Sequence, residues 1–246
     1  MKAAPEAQQR LLDLQAVDTT VAQVQHRRRQ LPEHAQIARA QAERGTIGER
    51  VTAVKTRIYD LEQEQARSEG DLAPVRERLA RDRKRVDDGS ITDPKQLQAM
   101  LDEIASLVRR IGELEDVELD VMERLETSQS ELAELAVRKS GVEDELRALM
   151  ASRDAQLAVL DAELASHGAE RAQLASGLPA DLLAAYAKTA ERSGGTGAAL
   201  LANGRCSGCQ LTLTASDLAR FMAAPADDVL RCEECNRILV RAADAH

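Results

Sequence analysis

Apolar residues recur at alternating steps of three and four through much of this chain, and that period obliges helices to lie side by side along a seam. From Ile47 the run Ile47, Val51, Val54, Ile58, Leu61, Leu72, Val75, Leu79 and Val86 fills nine of twelve seam positions, with Gln65, Ser68 and Asp82 as misfits. A second run, Met100, Ile104, Leu107, Ile111, Leu114, Val121, Leu125, Leu132, Leu135, Val142, Leu146 and Leu149, fills twelve of fifteen. Glu118, Ser128 and Lys139 are its exceptions. At the chain's 43% hydrophobic content about six or seven would fall there unprompted, so the second run is a true seam.

Between the runs lies Asp87-Asp88-Gly89-Ser90-Ile91-Thr92-Asp93-Pro94, dense in turn formers. Pro94 suits the first turn of a new helix, with Thr92 or Asp93 as its cap. The turn, about residues 87–94, sits midway in the first 180 residues. It predicts an antiparallel hairpin in which residue i lies near residue 180 − i. Eighty helical residues give arms of roughly 120 Å. A parallel coiled coil between chains is the rival arrangement, but the short turn and matched arms favour the hairpin.

The first arm is expected from near Glu6 to about Val86. Its opening segment places Leu14, Val17, Val21, Val24, Leu31, Ala35 and Ala38 on the seam, interrupted by Arg28. That phase does not continue into the run from Ile47. The slip is assigned to Arg44-Gly45-Thr46-Ile47-Gly48, where two glycines weaken a helix and a bend is expected. A second irregularity is expected at Pro74, because an interior proline removes a backbone hydrogen bond.

Four cysteines form two pairs, Cys206-Ser-Gly-Cys209 and Cys232-Glu-Glu-Cys235. Two such turns facing one another supply the four sulfurs of a tetrahedral Zn²⁺ site. Redox C-x-x-C motifs occur singly and open a helix, whereas here each pair is framed by short predicted strands. Gly208 and Asn236 are expected to supply the positive φ that a knuckle needs. Four protein sulfurs leave no open position, so a single structural Zn²⁺ is expected rather than a hydrolytic one. Around the site the sequence predicts a helix from Ala180 to about Arg192 and strands at Ala198–Leu201, Gln210–Leu213, Val229–Arg231 and Arg237–Val240. A further helix is expected at Thr214 to about Ala223, its Thr214 and Asp217 spaced as a capping box. The chain thus divides into a mainly α coiled-coil hairpin over 1–177 and a C-terminal head over 178–246.

Composition excludes several classes. Three aromatics (Tyr59, Tyr186, Phe221) and no tryptophan cannot fill a wide globular core. A net charge of −9 argues against general nucleic-acid affinity, which depends on neutralising phosphates. Met1-Lys2-Ala3-Ala4-Pro5-Glu6 lacks the apolar stretch of a signal peptide and no apolar run of about 18 residues occurs, so a cytoplasmic location is expected.

The second arm opens Asp93-Pro94-Lys95-Gln96-Leu97-Gln98-Ala99-Met100 and continues Asp102-Glu103-Ile104-Ala105-Ser106-Leu107. With the tail Cys232-Glu233-Glu234-Cys235-Asn236-Arg237-Ile238-Leu239, it resembles the bacterial C4-type zinc-ribbon proteins with a coiled-coil hairpin. The resemblance covers essentially the whole chain. Asn236 departs from the family's usual glycine, and Val240 from a common tyrosine. The resemblance implies zinc ligation by Cys206, Cys209, Cys232 and Cys235, and an adaptor or chaperone activity. Family members are associated with transcription, secretion or motility machinery, and with RNA in one branch.

Other candidate sites are weak. His26, His34, His167 and His246 lack partners at ligand spacing, and the acidic pairs Asp87-Asp88 and Asp227-Asp228 belong to turns. No phosphate-loop, dinucleotide, nucleophile-elbow or H-E-x-x-H motif is present. Arg28 falls on the seam and is expected to face a carboxylate near residues 150–156. The expected function is therefore a non-enzymatic zinc protein that recognises protein partners through its arm and head. Arg83, Lys84, Arg85 and Lys95 at the hairpin tip are the candidate partner-binding residues. The alternative is an RNA- or DNA-binding protein using the ribbon and its arginines. Its missing aromatics argue against base stacking.

Overall fold

The computed structural model describes residues 1–242, and its fold is a long antiparallel coiled-coil hairpin followed by a small ribbon that carries all four cysteines. The elements are α1 (Pro5–Arg29), α2 (Pro32–Asp87), α3 (Pro94–Ser176), α4 (Ala180–Arg192), β1 (Ala198–Ala202), β2 (Arg205–Cys206), α5 (Ala215–Ala223), β3 (Leu230–Arg231) and β4 (Ile238–Arg241). Contacts divide them into two units, residues 36–149 and residues 1–35 with 150–242.

In the first unit α2 and α3 run antiparallel. The expected seam is buried, with Ile47, Val54, Leu61, Leu72 and Leu79 facing Leu107, Ile111, Val121, Leu135, Val142 and Leu146. Ser68 and Ser128 also stay in the seam, and the Ser128 hydroxyl is satisfied by the Arg124 carbonyl one turn back. The partner of residue i lies a little beyond 180 − i, from one residue beyond for Arg78–Glu103 to eleven for Arg76–Glu115. At the turn, Gly89 adopts φ +62° and ends α2, while Asp93 accepts the Lys95 backbone N–H at 3.0 Å and caps α3.

The first arm is not one helix. It breaks between Arg29 and Pro32, and no break occurs at Gly45–Gly48. Ala35 and Ala38 are exposed, whereas Glu33, Ile37 and Ala40 are buried. Read backwards from Ile47, positions 44, 40, 37 and 33 keep the second run's phase, so the slip falls at Leu31-Pro32. Pro32 occupies the first turn of α2, where its missing N–H costs nothing. A Cβ on Gly45 or Gly48 would meet nothing within 4 Å; Gly45 is exposed and Gly48 half-buried. The helix also runs unbroken through Pro74.

In the second unit α1 packs on the 150–176 part of α3 and on the ribbon. Arg28 does not face residues 150–156; its guanidinium reaches Asp161 at 3.2 Å. The buried acid is instead Glu33, whose Oε1 accepts from Ser152 and Gln156. The bond from its own backbone N–H foremost, then those from Ser152 and Gln156, hold its carboxyl below the ordinary range against burial. Leu11, Leu14, Leu182, Tyr186, Ala198 and Ile238 form one core, which joins α1, α4 and the sheet. The fully buried Tyr186 donates to Asp18 (2.7 Å) and contacts Gln15, while Arg171 donates to Asp18 at 2.5 Å. Burial, then the Asp18 carboxylate, pushes the phenol upward. Gln15 Oε1 accepts the Gly197 N–H at 2.6 Å, tying α1 to the start of β1.

Candidate metal centre

The sheet order is β2-β1-β4-β3, with β1 and β4 parallel at its centre and antiparallel partners outside. Each outer pair carries one C-x-x-C turn, and the parallel pairing brings the two turns together. The backbones of the turns repeat one pattern. Cys206 N–H donates to Leu211 O and Gln210 N–H to Cys206 O. Correspondingly, Cys232 N–H donates to Arg237 O and Asn236 N–H to Cys232 O. Both turns close on a left-handed residue directly after the second cysteine, Gln210 at φ 62° and Asn236 at φ 59°.

Asn236 therefore has the expected role, and Gly208 does not. A Cβ at Gly208 would lie 2.6 Å from Arg237 Cδ, so glycine is needed there for the close passage of Arg237. The expected strand at Gln210–Leu213 is also absent. Gln210 turns left-handed, β1 pairs instead with Arg205–Cys206, and only an isolated bridge joins Thr212 to Arg205. The helix behind the site forms as read: Thr214 Oγ1 accepts the Asp217 N–H at 3.1 Å and caps α5.

The four cysteine sulfurs lie within 4.8 Å of one another, with Cys206–Cys235 and Cys209–Cys232 each at 3.9 Å. Sulfurs each about 2.3 Å from a tetrahedral zinc stand about 3.8 Å apart, so the donor set fits one Zn²⁺. A disulfide, with sulfurs about 2.05 Å apart, does not fit these distances. Burial pushes the thiols of Cys206 and Cys232 up, the latter to about 12. Cys235 falls to about 7: burial opposes this, but the backbone N–H and guanidinium of Arg237 favour its thiolate. When bound, the ion turns all four into thiolates and crosslinks two turns 22 residues apart in sequence. Around the sulfurs Ala199, Leu201, Leu213, Phe221, Leu230 and Leu239 form a compact apolar shell.

The ribbon's arginines are spent internally, which the sequence did not disclose. Arg231 donates to Thr189 and the Asn236 carbonyl, Arg237 to the Thr196 and Ser193 carbonyls, and Arg205 to the Gln210 carbonyl. Arg241 binds the Phe221, Ala224 and Pro225 carbonyls, and Arg220 pairs with Asp217 and Glu233. Phe221 and Tyr186 are buried.

At the hairpin tip Arg83, Lys84 and Arg85 end α2, and Lys95 begins α3. Arg83 to Arg85 and Lys95 are exposed, and none makes an ion pair among the described residues. His26 carries no metal partner among the described residues, His34 contacts the Arg28 carbonyl, and His167 lies 3.2 Å from Glu170. His246 lies outside the described residues. The cysteines are the single metal-competent cluster among the described residues, and no helix there is long and apolar enough to cross a membrane.

Hairpin and ribbon together define a class. Residues 14–194 match the CT398-like coiled coil hairpin domain and residues 205–239 the C4-type zinc ribbon domain, so the chain belongs to the CT398-like hairpin family and carries one structural Zn²⁺. Among individual proteins, the chain is 34% identical to Rv2229c of Mycobacterium tuberculosis over 98% of both chains. A solved Mycobacterium smegmatis structure matches with TM-score 0.83 at 33% identity, covering 98% of this chain and all of that one. CT398 of Chlamydia trachomatis shares the fold at TM-score 0.71 and 20% identity, over 96% of this chain and 98% of CT398.

Proposed function

We propose that this protein is a non-enzymatic cytoplasmic adaptor, with Cys206, Cys209, Cys232 and Cys235 as its zinc ligands and the hairpin tip as its docking point for protein partners. The contrast between the ribbon's arginines and the cluster of cations at the tip carries this reading. All five ribbon arginines bond to carbonyls, a hydroxyl or acids of the ribbon and its neighbouring helix, although Arg205 and Arg220 stay exposed. Arg83, Lys84, Arg85 and Lys95 project from the tip without an ion pair among the described residues. A nucleic-acid interface built on the ribbon would need to break those internal bonds, and its aromatics are buried away from any base. A closed four-sulfur site also offers no position for substrate or water.

Affinity capture from native lysate with the zinc-loaded protein, with and without nuclease, tests the reading. Defined proteins should persist after nuclease and vanish when Arg83, Lys84, Arg85 and Lys95 are all reversed in charge, with helical circular dichroism unchanged. Retained capture by that variant would rule out the tip. Recovery that collapses on nuclease treatment would move the activity to nucleic acid.

A further inference from the structure

The two flanks of the α2–α3 hairpin differ in kind. One flank consists of the residues that precede each seam position, and it is stitched by ion pairs between the arms. Arg50 and Arg57 meet Glu131, Arg124 meets Glu64, Arg138 meets Glu43, and Arg78 meets Glu103. The residues that follow each seam position form the other flank, crossed by a single pair among the described residues, Arg76–Glu115. Seven large apolar or aromatic side chains are exposed between residues 36 and 149. Five of them, Tyr59, Leu101, Val108, Leu119 and Met122, lie on this second flank; Val117 and Val137 do not. Leu101, Val108 and Met122 are 43%, 44% and 46% exposed. Such a face calls for a cover.

The pattern along the flank says what that cover is. On α2 the second-flank positions read Glu62, Ala66, Glu69, Ala73, Arg76, Ala80, Arg83. This row is its own complement when reversed about Ala73: Arg83 falls opposite Glu62, Arg76 opposite Glu69, and Ala80 opposite Ala66. On α3 the corresponding row reverses about Gly112, which sets Leu101 opposite Met122, Ala105 opposite Leu119 and Val108 opposite Glu115, the one pair of the row that is not matched in kind. The two centres are level, because Leu72 and Ile111, their seam neighbours, share one buried cluster. They are also small residues, and a Cβ on Gly112 meets nothing within 4 Å. Two hairpins can therefore approach closely at the level of Ala73 and Gly112.

We infer that this flank binds a second copy of the chain, face to face and antiparallel, about a two-fold axis at Ala73 and Gly112. The same patch then serves both copies, as an isologous interface requires. Leu101 to Met122 spans about 32 Å of helix and the face is two helices wide, on the order of 600 Å² per copy. That approaches the roughly 800 Å² per partner of a standard interface. Glu62 and Arg83 have no ion-pair partner among the described residues of their own chain, and each finds one in the second copy.

Sedimentation equilibrium of the zinc-loaded full chain across micromolar concentrations tests the inference. The expected species has twice the 26.8 kDa chain mass. Glu62→Arg opposes like charges at two places per dimer and should weaken association at least tenfold. Adding Arg83→Glu to Glu62→Arg restores opposite charges and should restore the dimer. Ala73→Glu, which sets two carboxylates beside the axis, should dissociate it while helical content stays unchanged. A monomer at every concentration, an unaltered dimer with Glu62→Arg, or failure of the double reversal would each overturn the inference. Glu62 and Ala73 lie outside the tip residues, so the Glu62→Arg and Ala73→Glu results do not depend on whether the tip captures a partner.

Discussion

The ribbon and the arm solve the problem of a thin core in opposite ways. The arm repeats one weak unit, a seam residue with its partner across the hairpin, through the whole of residues 36–149. The ribbon has four short strands and a small apolar shell, and it concentrates its stability in four sulfurs around one ion. The lesson is that damage should stay graded in the arm and be all-or-none in the ribbon.

Metal removal should break the comparison most sharply. Structural zinc contributes about 10–16 kcal/mol of apparent folding free energy in small zinc domains. A strong chelator, or Cys206→Ser, should therefore collapse the dispersed amide resonances of β1–β4 while leaving most helical circular dichroism. Elemental analysis should return one zinc per chain. Leu72→Ala in the arm should cost about 2–5 kcal/mol in urea unfolding and leave the zinc content unchanged. Gly197→Ala would place a Cβ 2.7 Å from the Tyr186 ring, and this overpacking should lower the stability of residues 1–35 with 150–242 by about 1–3 kcal/mol.

Smaller effects sharpen the contrast. Gly45→Ala lies in an open, continuous part of α2 and should stabilise the arm by about 0.5–1 kcal/mol; a loss would mean the helix does break there. Glu131 should give the smallest response. Its hydrogen bonds to Arg50 and Arg57, the Arg50 bond foremost, hold its carboxyl below the ordinary 4.5. A carboxyl depressed in the folded state stabilises above its unfolded value and loses that contribution as pH falls through the folded one. The deficit of Glu131→Gln in denaturant midpoint should be present at pH 7 and fade as pH falls below 4.5.

The seam was legible because its period is a direct record of which face is buried, and so was the zinc site, because metal geometry constrains spacing. The turn and the Thr214 cap were equally plain. Sequence and structure part where one residue type serves two needs. Glycines at 45 and 48 suggest a break, yet the helix runs on through them uncrowded, and Pro32, which marks the break, follows the buried Leu31. Ile37 and Ala40 already carried the correct phase. Gly208 suggests a left-handed turn, whereas the passage of Arg237 is what needs its missing side chain. The internal use of the ribbon arginines was not legible, because a guanidinium bound to a carbonyl looks the same in sequence as a free one. Nor was the packing of Leu11 and Leu14 on Ile238, since nothing local links residues so far apart.

That packing sets an order of events during synthesis. Lys2 pairs with Asp227 and Gln9 donates to the Arg241 carbonyl, so α1 contacts segments made more than 220 residues later. At about 5–20 residues per second the ribosome needs roughly 10–50 s to deliver them. Throughout that interval Leu11 and Leu14 have no ribbon to pack against. A chain truncated before Ile238 lacks the strand that completes this core, which leaves Leu11 and Leu14 with only its helical part, Leu178, Leu182 and Tyr186.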